Sequence, residues 1–122
     1  MADQSVLESV HHYLRNLEAQ GMGVSFAVLF GSHARGDVHE WSDIDVVVVS
    51  PRFDPPNNRA DVGLLWRVAA HTDSRIEPVP CGARQWDEDQ SSVVIEAARR
   101  EGTRILPERS LTVTPLVLYD DY

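Results

Sequence analysis

The sequence predicts an α/β (α+β) fold, a single sheet of about four strands flanked by helices, and three observations predict it. Amphipathic stretches of helical period alternate with short runs of β-forming residues. One of those runs, Val46 to Val49, is apolar on both faces, so both sides of its sheet must be covered. At 122 residues and 43% hydrophobic, the chain has material for one sheet-and-helix core and not for two.

Residues 5 to 20 read as a helix. Ser5 and Glu8 have capping-box spacing, Val6, Val10, Tyr13, Leu14 and Leu17 recur on one face, and Gly21 suits a C-terminal stop. Val24 to Phe30 is a run apolar but for Ser25 and reads as a buried strand, ending at Gly31-Ser32 where a short helical turn can begin. A polar loop, Gly36 to Trp41, leads through Ser42-Asp43-Ile44-Asp45 into the valine strand, which Pro51 stops. Phe53 to Arg59 contains Pro55, Pro56, Asn57 and Asn58 and reads as an exposed loop.

Leu64, Leu65, Val68 and Ala69 predict a helix over 60–71, and Arg75 to Val79 a third strand. Pro78 and Pro80 lie two apart and lack an N–H on the same side, so this strand has no partner there beyond Glu77. Trp86-Asp87-Glu88-Asp89 reads as an exposed turn with a helix-start bias. A last helix over 91–101 stops at Gly102, and Thr103 to Leu106 form a short fourth strand. The chain thus divides into a domain over 1–109 and a tail over 110–122. Leu111, Val113, Leu116, Val117 and Leu118 make that tail apolar enough to add a strand or to cover a partner surface.

Composition narrows the function. All 11 basic residues are arginine, against 19 acidic ones, and a formal charge of -8 argues against a broad nucleic-acid-binding face. A triphosphate differs from a long polyanion, because backbone N–H groups, one arginine and a divalent metal outweigh a distant negative background. No apolar run approaches a membrane span, and Met-Ala-Asp-Gln-Ser lacks the order of a signal peptide, so a cytoplasmic protein is expected. Cys81, without a partner at metal-ligand spacing, is expected to serve as small apolar packing.

Asp43 and Asp45 carry the chemistry. Two apart at the mouth of a strand, their side chains leave the same face, Val47 and Val49 continuing that face and Val46 and Val48 the other. Carboxylates held this close repel and lose solvation, which a bound cation offsets. The pair alone is a short motif that solvated strand ends also carry. Ahead of it, Gly31 and Ser32 end a strand and open a turn, an arrangement that presents backbone N–H groups and a hydroxyl to phosphate oxygens. A phosphate cradle and a metal pair in one strand-turn-strand unit are what phosphoryl transfer needs.

Gly31-Ser32-His33-Ala34-Arg35-Gly36 followed by Ser42-Asp43-Ile44-Asp45-Val46 resembles the signature of the minimal nucleotidyltransferases, the MNT proteins of the DNA polymerase β-like superfamily. The resemblance implies a mixed sheet flanked by helices, the polymerase β palm-like fold. It implies that Gly31 and Ser32 bind the phosphates of a nucleoside triphosphate, that Asp43 and Asp45 are ligands of Mg²⁺, and that a third carboxylate on a later strand completes the catalytic set. Glu77, the acidic residue within the predicted third strand, matches that position, with glutamate replacing the usual aspartate and Asp73 as the next candidate. Arg35 is placed to neutralise phosphate charge, with a surface pair to Asp37 as its bland alternative. His33 is expected to be a loop residue, Trp41 an anchor for the loop, and His11, His12, His39 and His71 show no ligand spacing.

Proteins that this chain resembles, antitoxins of the MntA type, act beside a helical HEPN ribonuclease that they inactivate by moving AMP from ATP to a tyrosine. A small domain without its own substrate lobe fits that arrangement, and a homo-oligomer is compatible with it. The alternatives are transfer to a small molecule or an RNA end, or a non-catalytic module that binds nucleotide or blocks a partner. Mg²⁺-dependent ATP binding and pyrophosphate release discriminate them.

Overall fold

The computed structural model describes residues 4–31 and 43–107. Helix α1, Gln4–Ala19, buries Val6, Val10, Tyr13, Leu14 and Leu17, the stripe that its period predicts. Gln4 is already helical, so Ser5 stands in the first turn and not at the cap. The C-terminus closes as a Schellman motif: Met22 N–H donates to Leu17 O and Gly21 N–H to Glu18 O, both at 3.0 Å, with Gly21 at φ +89°.

Strand β1 is Phe26–Phe30, β2 Ile44–Val49, β3 Ile76–Cys81 and β4 Thr103–Ile105, in the sheet order β3-β2-β1-β4. β1 starts later than its apolar run because the Val24 N–H donates to the Glu18 carboxylate at 2.9 Å. β2 pairs antiparallel with β1 and parallel with β3, so the sheet is mixed. A parallel neighbour requires a crossover, which α2, Arg59–Thr72, supplies. Asn58 caps that helix, its side chain accepting from Ala60 N–H at 2.8 Å.

Among the described residues β3 is an edge strand, and it runs on through both prolines. Ile44 N–H donates to Arg75 O and Ser50 N–H to Cys81 O, so odd-numbered residues of β3 face β2, and Pro78 and Pro80 turn their nitrogens to the open edge. The predicted one-sided pairing is therefore observed, over a longer strand than expected.

Two apolar layers sandwich the sheet. On one face Ala27, Leu29, Ile44, Val46, Val48 and Ile76 pack under α1 and α2. On the other, Val28, Val47, Val49 and Cys81 meet Trp86, Ile95 and Ala98. The last three come from α3, Ala83–Glu88, and α4, Val93–Glu101. Cys81 is a buried apolar group, as its sequence context predicts, and burial raises its thiol pKa to about 11.

Two expectations are corrected. Trp86 to Glu88 belong to a helix and not to an exposed turn, and Trp86 is only 8% exposed, edge-on to Phe26 at 5.5 Å. The turn reading failed because the helix start is capped from far away: the Asp54 carboxylate accepts from Arg84 N–H at 3.0 Å and Gln85 N–H at 3.3 Å. The stretch from 53 to 59 is also less idle than predicted. A 3₁₀ turn, Pro51–Phe53, buries Phe53 before the chain surfaces. Trp86→Ala should cost about 3 kcal/mol by removing the largest side chain of the smaller core, measurable by urea unfolding. The predicted tail over 110–122 lies outside the described residues.

Candidate active site

The sheet brings the predicted carboxylates together. Asp45 stands inside β2, one residue past its start, with Phe30 opposite it on β1 and Glu77 opposite it on β3. Laterally paired residues share a face, with strands about 4.8 Å apart. Phe30, Asp45 and Glu77 thus form one row on the α3/α4 side of the sheet, continuing the face of Val47 and Val49. Asp43 sits just before β2, and its carboxylate accepts a hydrogen bond from the Glu77 carboxyl.

The electrostatics follow from this crowding. Although Glu77 is an exposed residue, desolvation of its carboxyl raises its pKa, and the hydrogen bond to Asp43 and the charges of Asp43 and Asp45 push the same way. Among the described residues no three His, Cys, Asp or Glu side chains surround a common metal position. Carboxylates without a cation between them disfavour ionisation of one another, and the raised Glu77 pKa is that effect here. Carboxylate oxygens such as those of Asp43, Asp45 and Glu77 are hard donors, the kind a magnesium-class cation takes.

Gly31 ends β1 beside this row with φ +78°. A Cβ at Gly31 would lie 2.5 Å from Asp45 Oδ2, so the turn and the carboxylate approach as closely as only glycine permits. Ser32, His33, Arg35, Trp41 and Ser42 lie outside the described residues, as does His39.

Asp73, the alternative third ligand, is committed elsewhere. Its carboxylate pairs with Arg75 at 2.8 Å, accepts from Ser9 Oγ at 2.9 Å, and is held down to a pKa of about 2 chiefly by the Arg75 hydrogen bond. Phe30 is what sequence reasoning missed: half-buried in the same row as Asp45 and Glu77, it read only as a strand residue, because its neighbours follow from pairing register. A groove of about 350 Å³ between α1 and α2, lined by Asn16, Leu64, Arg67 and His71, lies across the sheet and contributes nothing to the row.

A family model for the nucleotidyltransferase domain matches residues 13–96. Comparison with curated proteins gave no match. Among solved structures, a toxin–antitoxin complex with AMP-PNP is 23% identical over 82% of this chain and 75% of its own, at a TM-score of 0.56. A complex of tri-AMPylated HEPN toxin with MNT antitoxin from Shewanella oneidensis is 20% identical over 89% of this chain and 76% of its own, with TM-score 0.51. The MntA-HepT toxin–antitoxin complex is 20% identical, covering 88% and 75%, also at 0.51. At these identities the likeness is one of fold.

Proposed function

Because the chain belongs to the nucleotidyltransferase domain family, we propose that it transfers AMP from ATP to a tyrosine hydroxyl of a helical HEPN-type protein partner, as the antitoxin of a pair. The observation that carries the chemistry is the register that sets Asp45 beside Glu77, with Asp43 hydrogen-bonded to Glu77 and Gly31 closing over Asp45. Solved complexes of the same fold, one holding AMP-PNP and another a tri-AMPylated toxin, support the choice of nucleotide and partner.

In this reading Gly31, Ser32 and Arg35 hold the phosphates, and Asp43, Asp45 and Glu77 hold Mg²⁺. When bound, the cation would supply charge neutralisation for the triphosphate and for the phenolate developing on the acceptor tyrosine. The acceptor oxygen attacks the α-phosphorus, a new O–P bond forms, the bond to the β-phosphate oxygen breaks, and pyrophosphate leaves. Glu77 could also act as base toward the acceptor hydroxyl, a carboxylate being one of the side chains that serve in that role. Glu77 stands on β3, an edge strand among the described residues, with β2 between it and the Gly31 turn, so in this reading the acceptor approaches on the β3 side and the phosphates lie on the Gly31 side.

Incubating the chain and its co-purifying partner with ATP labelled at the α-phosphate tests this directly. Label on a partner tyrosine is expected. Label on RNA or a small molecule would replace the acceptor, and nucleotide binding with no transfer to anything would leave a non-catalytic binding module.

A further inference from the structure

The close approach at Gly31 has an unusual composition. The three atoms nearest its missing Cβ all belong to Asp45: Oδ2 at 2.5 Å, Cγ at 3.5 Å and Cβ at 3.6 Å. No backbone atom contributes to this near set, so the space that glycine leaves is filled by one carboxylate. Continuing the β1–β2 register places Gly31 level with Ile44, between Asp43 and Asp45 along the strand.

Asp45 has little choice of direction. On its face it is flanked by the half-buried Phe30 ring on one side and by Glu77 on the other, and leaning toward Glu77 brings two acids together. The room above the bare α-carbon of Gly31 is where the carboxylate turns instead. We propose that Gly31 is a positioning residue for Asp45: beyond any contact with phosphate, its missing side chain holds open the rotamer in which Asp45 offers a carboxylate oxygen to a divalent cation. The inference rests on the reading of Asp45 as a metal ligand. Besides the backbone strain that φ +78° imposes on any L residue, an L side chain at position 31 meets the Asp45 carboxylate first and no backbone atom.

The test is a titration of Mn²⁺, without nucleotide, followed by calorimetry and by the Mn²⁺ electron paramagnetic resonance signal. Wild type, Asp45→Asn, Gly31→Ala and Gly31→Asn are compared, with folding checked by circular dichroism. Asparagine tolerates the positive φ that disfavours alanine, so Gly31→Asn keeps the test valid if Gly31→Ala does not fold. Both Gly31 variants are expected to bind Mn²⁺ at least about tenfold more weakly than wild type, the range seen when a group that orients a metal ligand is removed. A chemically synthesised chain with Gly31→D-Ala supplies the control. Its methyl takes the other hydrogen's place, leaving the position that meets Asp45 empty, and suits φ +78°, so Mn²⁺ affinity should stay near that of wild type.

Wild-type affinity in a folded Gly31→Asn protein overturns the inference. So does loss of affinity in the D-alanine chain as large as in the L-alanine one, because glycine would then be needed for its smallness on both sides. Equal Mn²⁺ binding by wild type and Asp45→Asn overturns instead the assignment of Asp45 as a ligand, on which the inference stands.

Discussion

Asp45→Asn is expected to lower nucleotidyl transfer by at least about a thousandfold, the upper range for removing one preorganised electrostatic stabiliser. The side chain keeps its shape and its place between Phe30 and Glu77, so the loss reports charge and not packing. Without divalent cation the same change should raise the melting temperature, since one of the charges that crowd Glu77 is gone. A melting scan with and without Mg²⁺ checks both halves: the wild type gains from the cation, and the variant gains much less. Wild-type turnover in the variant would remove Asp45 from the mechanism.

The second large effect is at Glu77. Glu77→Gln should lower turnover by about a hundredfold while ATP affinity changes little, because Glu77 stands on β3, separated by β2 from the Gly31 turn at the end of β1 where the proposed function puts the phosphates. Glu77→Asp should retain measurable activity, since it keeps the charge and gives up one methylene. A pH effect on stability accompanies this. The Glu77 pKa is raised in the folded protein, so the native state holds this proton to a higher pH than the unfolded chain does. Stability from this group is fully present below the ordinary glutamate pKa and is lost as pH rises through the raised value. Metal-free wild type should therefore lose stability over that window, and Glu77→Gln should flatten the loss. Chemical unfolding at a series of pH values in the presence of a chelator measures it, and an identical pH profile in Glu77→Gln would contradict the crowding at this row.

The strand placement of the candidate carboxylates was largely legible in the sequence. Asp43 and Asp45 at strand spacing fixed a shared face, and the valines beyond them fixed a sheet covered on both sides, as the two apolar layers confirm. Pro78 and Pro80 marked an edge strand because a missing N–H is a local property that pairing must respect. What stayed hidden was long-range. The register Asp45 to Glu77, the Glu77–Asp43 hydrogen bond and the intrusion of Asp45 into the space over Gly31 exist only once three strands are assembled. Asp73 stood in sequence as the next candidate after Glu77, and only the folded chain reveals that Arg75 and Ser9 already occupy it. The short helix around Trp86 was missed for the same reason, its cap lying thirty residues away at Asp54.

The claim on which the rest depends is that Asp43, Asp45 and Glu77 together make one metal-dependent transfer centre. Pyrophosphate release from ATP by the chain with its co-purifying partner, measured with Mg²⁺ and with chelator, tests it most directly when wild type is set beside the triple variant Asp43→Asn, Asp45→Asn, Glu77→Gln. The account predicts release that needs both Mg²⁺ and the carboxylates, falling to background in the folded triple variant. Release that persists in that variant, or that ignores the chelator, would contradict it.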